Sequence, residues 1–240
     1  MDNNNKYYKA LDKLHNNYLE NGGRRRVHNS LMEFDKLAKD GDNVLDIGGG
    51  NIQNNKSHVN FKELFTTCHN INYEFINQNN CDVRYNKLPY EDNSFYIVMS
   101  HECIEHLWNF RADGMMDYVG LINFWKESHR VLKPEGFFLV STRNRNCPLA
   151  FQRLYKGYPL MVSTCSLKEK VSSHAQELAE NDFKALVNHT GLFTNNLIYC
   201  MPSTDFMNQD FFINKMEQFW ERKLALHELH DTIYFSSTKK

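Results

Sequence analysis

Hydrophobic positions along this chain alternate between two periods, and the switches between them predict its elements. Tyr7, Leu11, Leu14 and Tyr18 share one face of a helix over 6–20, which Gly22-Gly23 ends. Val27, Leu31, Phe34 and Leu37 mark a second helix over 25–39. Val44, Leu45 and Ile47 then form a short run suited to a strand buried on both faces. A helix over 61–67, with Ser57 near its start as N-cap, follows a glycine turn. Alternation at Ile71, Tyr73 and Phe75 predicts a second strand over 70–77, and 81–85 reads as a short third.

Residues 88–94 carry turn chemistry and deliver a fourth strand over 95–99, Phe-Tyr-Ile-Val-Met. Met116, Val119, Leu121, Ile122, Trp125 and His129 predict a helix over 115–132. Lys133-Pro134-Glu135-Gly136 ends it, and 137–141 is the fifth strand. Beyond 145 the pattern is less regular. A helix over 181–189 carries Phe183, Leu186 and Val187 and stops at Gly191. Strands over 196–200 and 232–235 flank a helix over 211–226. Strands alternating with helices point to an α/β fold with right-handed crossovers.

Composition narrows the class without naming a function. At 240 residues, 41% hydrophobic and 24% charged, the chain has the make-up of one soluble globular domain. A net charge of −1 gives no field that favours nucleic acid, and Arg24-Arg25-Arg26 is too short a basic cluster to change that. The six cysteines show no C-x-x-C spacing, so they read as reduced thiols of a cytoplasmic protein rather than a zinc site. The amino terminus carries no apolar signal segment, and no apolar run approaches the ~20 residues of a membrane span.

The candidate chemistry begins where the first strand stops. Asp46-Ile47-Gly48-Gly49-Gly50 places glycines at a strand-to-helix turn, where a missing Cβ lets the backbone turn sharply and approach a ligand. A dinucleotide fingerprint would need a third glycine at Gln53, so that version fails. An acidic residue followed by Gly-x-Gly instead resembles the first motif of class I S-adenosylmethionine-dependent methyltransferases. Two further blocks stand in order: Leu88-Pro89-Tyr90-Glu91-Asp92-Asn93-Ser94-Phe95 leading to Ile104-Glu105-His106, and His129-Arg130-Val131-Leu132-Lys133-Pro134-Glu135-Gly136. Together they are similar to the type 11 group of that class, over roughly 40–145.

The resemblance implies a Rossmann-like, mostly parallel sheet of seven strands with helices on both faces and the last strand antiparallel, that strand being the 232–235 segment set beside the fifth. It also implies S-adenosylmethionine as cofactor. On that basis 1–240 is one methyltransferase domain: 1–40 helical and lid-like, 41–145 the cofactor core, 146–240 the substrate side with the final strands. Gly48 and Gly50, with Gly49 between them, are implied to lie against the cofactor's amino-acid and ribose parts, and Asp46 to orient the loop and accept from the methionine ammonium, directly or through water. Asn77 takes the ribose-binding position, where an acid is usual. Asp82 and Asn86 are candidates for the adenine end, and His101 and either Arg25 or Arg26 for the methionine end; Ser100 is a further cofactor-binding candidate. Tyr96 stands where the family has Asp.

For catalysis, His106 is the first candidate for base, because imidazole accepts a proton near neutrality. His101 and His174 are the others. Ser141-Thr142-Arg143-Asn144-Arg145 with His174-Ala175-Gln176-Glu177 is similar to methyltransferases of polysaccharide synthesis, which implies a sugar or other small-molecule hydroxyl as acceptor. No acidic cluster stands out for a metal. A quinone-like carbon, an RNA base, or a silent binding protein on the same fold are the competing readings.

Overall fold

The computed structural model describes residues 24–49, 62, 65–66, 69–110, 116–147, 178–201, 210–224, 230 and 232–239. The expected helix over 6–20 lies outside them, as do Gly50, His174 and the side chain of Arg25.

The element order is α1 (Arg24–Asp35), β1 (Asn43–Ile47), β2 (Asn72–Ile76), β3 (Phe95–His101), β4 (Asn109–Phe110), β5 (Met116–Asp117), α2 (Val119–Val131), β6 (Leu132–Arg143), α3 (Glu180–Thr190), β7 (Phe193–Met201), α4 (Asp210–Trp220) and β8 (Thr232–Lys239). Among the described residues the main sheet has six strands, ordered β2-β1-β3-β6-β8-β7. The pairs β1–β2, β1–β3 and β3–β6 are parallel. β8 runs antiparallel to both its neighbours, β6 and β7. The expected architecture is therefore present, including the antiparallel last strand beside β6.

Strand periodicity explains why the sheet is covered on both sides. In β1, Val44 and Leu45 point to opposite faces, and each joins a different core. On one face Val44, Ile97, Met99 and Leu139 pack with Leu31 and Phe34 of α1 and with Phe65. On the other, Leu45, Val98, Phe138 and Val140 meet Leu121, Phe124, Trp125 and Val131 of α2 and Phe183 of α3. Trp125 sits among Phe138, Phe193 and Phe235, with ring centroids 4.9–5.6 Å away.

Three expectations are corrected. The third strand over 81–85 is a turn: the Asp82 carboxylate accepts from the backbone N–H of Arg84 and from its guanidinium, which curls the chain. That leaves β2 at one end of the ladder, with six strands among the described residues where seven were expected. The helix over 115–132 begins only at Val119, because Met116–Asp117 pairs with Asn109–Phe110 as a small antiparallel ribbon. Val119 is consequently 58% exposed, and Phe124 takes the inward place. The segment 133–136 lies within β6, with Glu135 at φ 62 and a register shift opposite Phe95 and Ile97.

A clasp fixes the approach to β3. Arg130 donates to Glu127, to Asp92 and to the carbonyls of Leu88 and Tyr90, while Glu127 accepts from the N–H of Leu88. Lys239 closes the same region from β8 through Asn93 and the carbonyl of Leu132.

Candidate active site

The chain leaves β1 for β2 on one side and leaves the adjacent β3 for β6 on the other, so a crevice opens beyond the carboxyl ends of β1 and β3. Gly48 stands at its mouth with φ 92, a conformation that side chains resist. Its N–H donates to the Ile76 carbonyl at 2.6 Å, holding the turn against the end of β2. A Cβ on Gly48 would collide with the Cys103 side chain, and one on Gly49 would collide with the Asp46 carboxylate. Both glycines are therefore required by close packing beneath the loop.

Asp46 is 1% exposed and accepts from the Tyr73 hydroxyl. Burial pushes its carboxyl up to about 7, against the lowering effect of that hydrogen bond. Asn77 sits at the tip of β2, as expected, and its amide reaches the Gly49 carbonyl at 3.4 Å. It thus borders the glycine loop. Its neutral amide offers both donor and acceptor, where a carboxylate would only accept.

Ser100 and His101 belong to β3 rather than to the loop after it. The Ser100 hydroxyl donates to the Ile47 carbonyl at 2.7 Å and is fully buried. His101 pairs through Nδ1 with the Ser141 hydroxyl at 2.9 Å and stacks on Phe65. Burial pulls its pKa down to about 4, so it is neutral across the physiological range.

Beyond β3 the chain enters a short 3-10 turn, Ile104–His106, which presents His106 half-buried at the carboxyl end of the sheet. Glu102, at φ 51, begins this bend and pairs with Arg143 at 3.7 Å. Glu105 is buried and accepts from Thr142 at 2.8 Å. Burial, then the nearby Glu102 charge, pushes its carboxyl up to about 8. Carboxylates and a histidine therefore converge where β3 and β6 end.

Asp82 is held by Arg84, which keeps its carboxyl below the usual range, and Asn86 donates to the Asp82 carbonyl. These two lie together in the turn after β2. Tyr96 lies at the opposite end of β3 from the crevice, packed on Phe137 with Lys39 above its ring. Its departure from the family pattern thus falls away from the glycine loop. Sequence reasoning missed Tyr73, Cys103 and Glu105, which touch the loop or its surroundings only through the fold. Tyr73 at least carried a signal, as an inward position of an alternating strand.

A mixed sheet ending in an antiparallel strand, with a positive-φ glycine turn at its switch point, is the arrangement that the sequence resemblance implied. Residues 45–140 match the family model described as "Methyltransferase domain", and this segment of the chain is such a domain. S-adenosylmethionine is the cofactor of that family, and the described residues fit it: glycine backbone without Cβ atoms at 48 and 49, and a polar amide at the β2 tip.

Solved structures share the fold at low identity. A phosphoethanolamine N-methyltransferase 2 of Haemonchus contortus, in complex with S-adenosyl-L-methionine, is 15% identical over 98% of this chain and 57% of its own, with a TM-score of 0.54. The chain thus spans little more than half the length of that protein. A SAM-dependent methyltransferase from Archaeoglobus fulgidus is 15% identical over 88% of this chain and 91% of its own, with a TM-score of 0.52. No curated protein matches the sequence.

Proposed function

We propose that the protein methylates a hydroxyl of a sugar or other small molecule, with S-adenosylmethionine as donor. The observation that carries this reading is the Gly48 turn, set at the switch point between β1 and β3 with Asp46 beneath it and Asn77 beside it. Bound there, the cofactor supplies a methyl group activated by a sulfonium. The protein's part is to align an acceptor oxygen behind that carbon. Alignment alone can supply on the order of 7–11 kcal/mol.

A hydroxyl acceptor must also lose a proton as the bond forms. His106 stands at the carboxyl end of β3, where the acceptor side of the crevice lies, and is assigned that proton. His101, neutral and bonded to Ser141, is assigned to shape rather than to proton transfer. Gly48, Gly49 and Asp46 are assigned to the amino-acid and ribose parts of the cofactor, Asn77 to the ribose hydroxyls, and Asp82 and Asn86 to the adenine end. Gly50, Arg25 and His174 keep their sequence-based assignments. The preference for a sugar rests on the likeness of 141–145 and 174–177 to methyltransferases of polysaccharide synthesis.

Calorimetry with S-adenosylmethionine is the first test, because absence of heat at high cofactor concentration defeats the enzyme reading. A radiolabelled methyl assay across nucleotide sugars, quinones, small amines and RNA then identifies the acceptor class. Labelled sugar is the expected product; label in any other class replaces the sugar assignment.

A further inference from the structure

We propose that Tyr73 is a positioning residue for the cofactor loop: its hydroxyl locks the Asp46 carboxylate under Gly49 and so sets the backbone that receives S-adenosylmethionine. This rests on the cofactor reading above and adds to it a residue that takes no part in the sequence motifs.

Tyr73 pairs in register with Val44, and Asp46 lies two residues further along β1 on the same face. Two residues of strand span about 6.6 Å, close to the reach of a tyrosine from its Cα to its hydroxyl. The ring lies along β1 and stacks on Phe65 at 6.1 Å, so its direction is fixed by packing. Its hydroxyl ends on Asp46 Oδ2. That same oxygen lies against the Cα of Gly49, where any Cβ would strike it. Gly49 is thus seated on the carboxylate from below, while Asn77 reaches its carbonyl from β2.

A carboxylate taken out of water needs a donor, or it turns toward one or takes up a proton. Burial and the neighbouring Asp46 push the Tyr73 hydroxyl well above its ordinary pKa, so it remains a donor at neutral pH. Without that hydroxyl Asp46 has reason to rotate, and the space it would sweep is the underside of Gly49. Tyr73 therefore acts on the loop through Asp46, never by touching the ligand.

The test is a double-mutant cycle on the full chain, reading S-adenosylmethionine affinity by calorimetry and turnover at saturating cofactor. Tyr73→Phe keeps the ring on Phe65 and is expected to weaken cofactor binding about tenfold, with kcat changed less than about threefold. On an Asp46→Asn background, the added Tyr73→Phe change is expected to cost less than about twofold, because the two groups act as one unit. Amide exchange at Gly48 and Gly49 should accelerate in Tyr73→Phe while β8 amides stay protected; this also reads the proposal if affinity is hard to measure. Unchanged affinity in Tyr73→Phe, or additive effects in the cycle, overturns the positioning role alone. No cofactor binding by the wild-type chain overturns the cofactor reading itself.

Discussion

The Ser100 hydroxyl donates to the Ile47 carbonyl at 2.7 Å, joining the last turn of β3 to the last residue of β1 just before the glycines. Both groups are buried, and the bond sets where the loop leaves the sheet. Ser100→Ala leaves that carbonyl without the hydroxyl, at a cost of about 1–3 kcal/mol. Urea denaturation should show a lower midpoint at unchanged slope, together with weaker cofactor binding.

Gly49→Ala tests the floor of the loop. The added methyl meets the Asp46 carboxylate, so Asp46 or the loop must move. Cofactor affinity is expected to fall at least about tenfold, or ~1.4 kcal/mol. Calorimetry of the variant against wild type measures it, and near-equal affinities would contradict the close packing.

His106→Ala is expected to reduce turnover by about 10²–10⁴-fold, the usual worth of a positioned base. Cofactor affinity should stay near wild type. Unchanged turnover would move the base elsewhere.

The buried carboxyls give a signed pH dependence. Asp46 and Glu105 rise from ordinary values of 3.8 and 4.5 to about 7 and about 8 in the folded chain. With the folded pKa above the unfolded one, the linked stability is complete below the ordinary values and is lost as pH rises through 7 to 8. His101 acts in the other direction: its folded pKa of about 4 lies below 6.5, so stability is lost as pH falls from 6.5 toward 4. Two carboxyls outweigh one histidine, so melting temperatures should fall as pH rises from about 4.5 to 8, most steeply above 6.5 where the histidine no longer offsets them. Glu105→Gln removes one group from the alkaline limb and should flatten it, each kcal/mol appearing as about 2–4 °C in Tm. An equally steep limb in the variant would exclude Glu105 as a source.

Arg130→Met removes the donors to Glu127, Asp92 and the carbonyls of Leu88 and Tyr90 together. The stranded, partly buried acceptors should cost about 1–3 kcal/mol. Denaturation of the variant measures this, with catalysis per folded molecule retained.

Much of this protein was written in local pattern. The apolar runs of β1 and β3 and the motif blocks around Asp46, Leu88 and Arg130 act through neighbours in sequence, so their elements and order were legible. The place of β8 beside β6 followed from the family likeness. The 81–85 segment misled because Asp82 and Arg84 satisfy each other within three residues, and that local bond outweighs a weak strand preference.

The sequence by itself determined the α/β order, the glycine turn and the kind of ligand it suits, because hydrophobic period and glycine torsional freedom are properties of short stretches. Only the tertiary structure decided that Tyr73 holds Asp46, that Ser100 ties Ile47, that Cys103 lies under Gly48 and that Glu105 meets Thr142. Those pairs lie 27 to 55 residues apart in the chain. Their contacts exist because adjacent strands in register bring distant positions within a few ångströms, and no local periodicity encodes which side chain will stand opposite which.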